Sequence, residues 1–133
     1  MNPLIMDFGP EPYVADLETI AEFNDNFRSA LWTGEHLQVV LMSILPGGDI
    51  GLEKHPDVDQ AIIIENGSGV VQMGDSAENL DYEADFYQDY IIIIPAGKWH
   101  NVINTAGIPL KLVTIYAPPE HPRGTEQKNK PIE

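Results

Sequence analysis

Apolar residues recur at two different spacings along the chain, and the change between them comes at Phe27. Before it, Val14, Leu17, Ile20, Ala21 and Phe23 repeat at a helical interval, with Asp16 near the start, where the helix dipole favours an acid. This predicts one short helix between Val14 and Phe23. Ahead of it, Pro3, Pro10 and Pro12 cannot sit in a helix interior, so the chain opens as an extended arm. Beyond Phe27, short β-branched and aromatic runs alternate with Gly, Pro, Asn and Asp, which is an all-β pattern. Strands are expected near Ser29–Thr33, His36–Leu45, Gly51–His55, Gln60–Glu65, Gly69–Met73, Phe86–Ile94, Trp99–Asn104 and Leu110–Ala117. Eight strands is the count of a double-sheet jelly roll.

The turns between them are explicit: Pro46, Gly47, Gly48 and Asp49, then Asn66, Gly67, Ser68 and Gly69, then Thr105 to Pro109. Leu37 to Leu45 and Tyr90 to Ile94 are apolar on both faces. Such strands need cover from the barrel interior on one side and from a helix, the arm or a partner subunit on the other, so a homodimer is expected. Gly74 to Asp85 carries Asp75, Glu78, Asp81, Glu83 and Asp85 with few apolar side chains, and reads as a solvated acidic excursion. The tail after Tyr116 is Pro-rich and then polar, with its last ten residues expected to be mobile. The organisation is one domain over 1–133, with the barrel at about 29–118, an arm and helix over 1–28 and a tail over 119–133.

Charge narrows the partners. Lys plus Arg number 7 and Asp plus Glu 21, a formal charge of −14, and no basic cluster offsets it. Phosphate backbones and anionic lipid surfaces are repelled over a Debye length of about 8 Å at physiological salt, so neither nucleic acid nor membrane is an expected partner. The absence of Cys excludes disulfides, thiolate ligands and a Cys nucleophile. The first basic residue is Arg28, the opening stretch lacks the basic start of a signal peptide, and no apolar run approaches the ~18 residues of a membrane span. These features together predict a cytoplasmic protein.

Four histidines are present: His36, His55, His100 and His121. Glu53 and His55 are one residue apart on an expected strand, so both side chains take the same face. If that face is the interior, an inward carboxylate needs a cation or strong hydrogen bonds, because isolated burial costs several kcal/mol. The alternative is an exposed Glu–His pair on an edge strand. His100 follows the turn Pro95, Ala96, Gly97, and its imidazole can also point inward. His36 is expected to face solvent and His121 to be exposed in the tail. Trp99 and Met42 read as packing residues along the cavity wall, and alternation turns Lys98 away from the side His100 takes.

These residues fall into two spaced motifs, on which the chain resembles the cupin superfamily, as a small single-domain bacterial-type cupin of the mannose-6-phosphate isomerase-like kind. The first motif runs Gly, five residues, His, one, His, three or four, Glu, six, Gly, and here reads Gly47, Glu53, His55, Gln60 and Gly67. The second reads Pro95, Gly97, His100 and Asn104, with Asp89 where a leading Gly is expected. The resemblance covers about residues 36 to 117 and implies a double-stranded β-helix, or jelly-roll barrel. It also implies metal ligation by Glu53, His55, Gln60 and His100, with Glu53 in place of the usual first His and Gln60 in place of the usual Glu. Asp57 or Asp59 could replace Gln60 if the turn after Pro56 shifts register. Gly97 and Asn104 are assigned structural roles in the motif.

The cofactor expected on this basis is a divalent ion, Zn, Fe, Mn or Ni. Two imidazoles and one carboxylate suit Fe(II) oxygen chemistry, and the same set with Zn or Ni suits Lewis-acid chemistry. The resemblance therefore implies an enzyme with dioxygenase or sugar isomerase-like activity on a small polar or anionic metabolite. The alternative is a non-catalytic module that binds a sugar or carboxylate. The ligand in either case is a small molecule.

Overall fold

The computed structural model describes residues 2–132. One helix, α1 (Leu17–Phe23), precedes nine strands: β1 (Arg28–Thr33), β2 (Gln38–Ile44), β3 (Asp59–Asn66), β4 (Gly69–Gly74), β5 (Tyr82–Phe86), β6 (Ile91–Ile94), β7 (Trp99–Asn104), β8 (Leu110–Ala117) and β9 (Glu126–Gln127). They form a six-stranded sheet in the order β6-β3-β8-β2-β1-β9 and a three-stranded sheet in the order β5-β4-β7. Every pairing is antiparallel, as the short hairpin turns require. The two sheets enclose a core that includes Val40, Met42, Ile62, Ile64, Phe86, Val102 and Leu112.

Register decides which side chains meet inside. Ile94 pairs with Gln60, Gln60 with Tyr116, Tyr116 with Gln38 and Gln38 with Thr33, so these residues share the interior face of the large sheet. This is a polar row within an otherwise apolar interior. Two residues along, Ile92, Ile62, Thr114, Val40 and Ala30 form the next row. The outer face of β1, β2 and β8 is apolar too, and its cover is intramolecular. Leu31, Leu41 and Val113 pack under Ile20 and Ala21 of α1, with Ile5, Phe8 and Tyr13 of the arm against them. Each such buried aliphatic side chain stabilises the fold by about 1.5–3 kcal/mol.

Several expectations are corrected. The helix begins at Leu17 rather than Val14, because the Asp16 side chain accepts from the Thr19 N–H and so caps it. Gly51–His55 is not a strand; only Glu53 bridges to His100 there, after Gly51 takes a left-handed φ of 93°. The run Phe86–Ile94 is broken, with β5 ending at Phe86 and β6 starting at Ile91. Asp89 makes that break at φ 72°, the one positive φ at a non-glycine among the described residues. The acidic excursion is strand at its end, since β5 pairs with β4 and turns Phe86 into the core while Tyr82 and Glu83 face solvent. The tail is bound rather than free. Gln127 and Glu126 pair with Arg28 and Ser29, and Ala30 N–H donates to Thr125 O at 2.8 Å. Met1 of the arm and Glu133 of the tail lie outside the described residues.

Candidate metal centre

Two turns bring the first three donors together. Pro95 and Gly97, the latter at φ 85°, reverse the chain into β7, whose alternation buries His100, Val102 and Asn104. Gly97 N–H donates to His55 O at 2.9 Å, tying this turn to the segment that carries Glu53 and His55. Glu53 and His100 exchange backbone hydrogen bonds at 3.0 and 2.9 Å, which sets their side chains on one side of the bridge. Glu53 Oε1 then lies 3.2 Å from His55 Nε2 and 3.4 Å from His100 Nε2. The ligand atoms of the three residues all fall within 4.8 Å of one another. Asn104 stabilises the barrel end, donating from Nδ2 to Ile44 O and Ile108 O, both at 2.9 Å.

The outer ring nitrogens are engaged elsewhere. His100 Nδ1 is 3.0 Å from Lys98 O, and His55 Nδ1 is 3.1 Å from Glu120 Oε1. With its Nδ1–H donated to the Lys98 carbonyl, the neutral His100 imidazole carries its lone pair on Nε2. Both Nε2 atoms are buried without a hydrogen-bond partner. Two imidazole nitrogens and a carboxylate oxygen therefore face one another at short range, an arrangement that a proton or a cation between them holds together. Burial pushes the Glu53 carboxyl pKa up, but where a proton on the ring Nε2 stands between them, hydrogen bonding and charge from His100 and His55 outweigh it and hold it at about 2.

Gln60 is the fourth expected donor. It is buried on the interior face, its Nε2 donates to Thr114 Oγ1 at 2.9 Å, and its Oε1 is left without a partner. Asp59 is turned away, accepting from Ala96 N–H at 2.9 Å, so no shift of register brings it into the set. Two imidazole nitrogens and one carboxylate within 4.8 Å of one another fit a divalent cation, and Gln60 offers a free amide oxygen on the interior face. Glu53 and Glu120, with side chains 26% and 30% exposed, mark the side open to solvent.

Other expectations fare variously. His36 is exposed beside Glu35. Lys98 is half-buried and pairs with exposed Asp75, away from His100. Met42 is core, and Trp99 is half-buried with Lys54 over its ring. His121 is corrected: it is half-buried, its ring meeting Tyr116 edge-on at 5.2 Å and its Nε2 3.3 Å from the Tyr116 hydroxyl. Burial, with Arg28 next, brings its pKa down to about 4. It sits there because buried Gln38 accepts from the backbone N–H groups of Glu120 and His121 and so clamps the tail over the barrel. Sequence reasoning missed Glu120, since nothing in its neighbours signals that it docks on a histidine.

A barrel of this topology with both spaced motifs converging is that of the cupin domain, whose family model matches residues 40–116. The chain belongs to the cupin family. It is 53% identical over 129 residues to the uncharacterized protein YrkC of Bacillus subtilis, covering 97% of this chain and 69% of YrkC. The crystal structure of BH2720 from Bacillus halodurans superposes with a TM-score of 0.94 at 54% identity, covering 95% of this cupin and 96% of BH2720. A double-stranded β-helix protein from Klebsiella pneumoniae shares the fold at a TM-score of 0.66 and 19% identity, over 81% of this chain and 91% of that one. Among the described residues no helix is long and apolar enough to cross a membrane.

Proposed function

We propose that this cupin binds one divalent metal ion on Glu53, His55, His100 and Gln60 and acts there as a metal-dependent enzyme on a small anionic metabolite. The observation that carries the reading is the trio of orphaned buried acceptors, His55 Nε2, His100 Nε2 and Gln60 Oε1, beside the Glu53 carboxylate. A divalent ion at such a set supplies a Lewis acid, and Fe(II) adds oxygen chemistry. The set carries a single negative charge, so the occupied site is net positive and attracts anions despite the chain's −14. Lys98 O and Glu120 hold the two rings in orientation from behind. The open side past Glu53 and Glu120 is where substrate enters. We place the protein in the cytoplasm as a homodimer.

Elemental analysis of tag-free protein, purified without added metal, tests the reading. Near one metal per chain is expected, with His55→Ala and His100→Ala each losing it. Iron directs the next assay to oxygen consumption, and zinc, nickel or manganese to isomerase chemistry. Full metal retention in both variants overturns the ligand assignment. Equal binding of a small acid by metal-stripped protein makes this a binding module instead of an enzyme.

A further inference from the structure

Among the described residues Arg28 and Lys111 are buried cations, and only Lys111 has an acid beside it, Asp25. Arg28 opens β1, and its register partner on β2 is the core residue Met42, so its side chain takes the interior face. It is 6% exposed, and its guanidinium lies 5.0 Å from the centre of the Phe27 ring. Nη1 donates to Gln127 Oε1 on β9, and Nε is buried with no partner. Among the described residues no Asp or Glu forms an ion pair with it, although the chain carries 21 acids. A buried cation without a counter-charge is strongly unfavourable, so a guanidinium held in this way calls for an anion beside it. It shares the barrel interior with the polar row that holds Gln60 and Tyr116, and the Tyr116 ring lies 5.8 Å from that of His55.

We infer that Arg28 anchors the carboxylate of a small organic acid whose other end faces Glu53, His55, Gln60 and His100. With Nη1 engaged by Gln127, the Nε side of the guanidinium is left to donate, and a planar carboxylate matches that edge. The inference rests on the proposed metal site and adds to it the substrate class and the residue that selects it. Arg28 itself is not a residue of the cupin motifs and lies outside the family match at 40–116.

The test uses the full chain loaded with Co(II), with metal content measured before any ligand is added. Pyruvate, its neutral amide pyruvamide and inorganic phosphate are then titrated by calorimetry. Arg28→Gln is expected to keep one Co(II) per chain and to bind pyruvate about ten-fold more weakly or worse, with Arg28→Lys intermediate. Pyruvamide binds both proteins alike. Gln127→Ala, which frees Nη1 but keeps the guanidinium, retains most of the pyruvate affinity. The inference is overturned by equal pyruvate affinity in wild type and Arg28→Gln, or by no pyruvate binding at all. It is equally overturned by an Arg28 dependence seen for phosphate alone, or by a Gln127→Ala loss as large as that of Arg28→Gln. If Arg28→Gln does not fold, Arg28→Lys carries the comparison. Failure of the wild type to take up Co(II) removes the metal reading alone, and thermal shifts of metal-free wild type and Arg28→Lys with pyruvate then decide the anchor.

Discussion

Glu120 Oε1 stands 3.1 Å from His55 Nδ1, joining a carboxylate of the C-terminal tail to an imidazole of the barrel. A partner at this position fixes ring orientation and raises the basicity of the opposite nitrogen. Glu120→Gln keeps the shape and removes the charge, and it is expected to weaken metal binding by about 10- to 100-fold. Competition against a chelator of known affinity measures this. Unchanged affinity shows that His55 is oriented without Glu120.

Asp7 pins three distant segments. Its Oδ1 accepts from the Gly9 and Thr33 N–H groups, both at 3.0 Å, and its Oδ2 from Thr33 Oγ1 at 2.6 Å and Gly124 N–H at 2.9 Å. Burial pushes the carboxyl pKa up, but the hydrogen bonds from Thr33, Gly124 and Gly9 outweigh it and leave it below 3.8. A folded pKa below the unfolded one contributes stability above the unfolded value, lost as pH falls through the folded pKa. Asp7→Asn is therefore expected to cost about 1–3 kcal/mol at pH 7, with a smaller difference from wild type near pH 3. Urea unfolding at both pH values checks the sign.

Asp89 takes a φ of 72° at the position where the second motif has glycine. Left-handed backbone costs an L-residue roughly 1–2 kcal/mol, less for Asp, and a β-branched side chain fares worst. Asp89→Gly should leave stability unchanged or raise it by up to about 1 kcal/mol, whereas Asp89→Val should lower it by about 1 kcal/mol or more. Thermal unfolding of the two variants gives the order. A destabilising Asp89→Gly assigns the Asp side chain a role beyond the turn.

The homodimer proposal has a defined surface. The α1 helix and arm cover the outer face of β2, but Ile91 and Ile93 on the edge strand β6 remain 60% and 56% exposed. Ile91→Lys with Ile93→Lys is expected to halve the mass seen by light scattering at micromolar concentration. A monomeric wild type removes the proposal.

The barrel was legible because alternation and turn residues are local, and motif spacing singled out Glu53, His55 and His100, which the fold brings within reach of one another. Gln60 turns into the interior, while Asp59 turns outward to accept from Ala96 N–H. Arg28, Glu120 and His121 were not legible. Each joins the interior through a contact across the fold, Arg28 with Gln127 and Glu120 with His55, and no periodicity encodes such pairings. The short strand β9 escaped for the same reason: Glu126 and Gln127 have no strand pattern of their own and are recruited by the edge of β1.

The clamp that Gln38 places on Glu120 and His121 sets an order of assembly. During synthesis His55, Gln60 and His100 leave the ribosome before Glu120, and Arg28 appears long before Gln127. β8, between β3 and β2 in the large sheet, ends at Ala117, so the strands around the donors are complete only three residues before Glu120. The tail that steadies His55 and Arg28 is thus the last part of the fold to be laid down, over a barrel whose strands already exist.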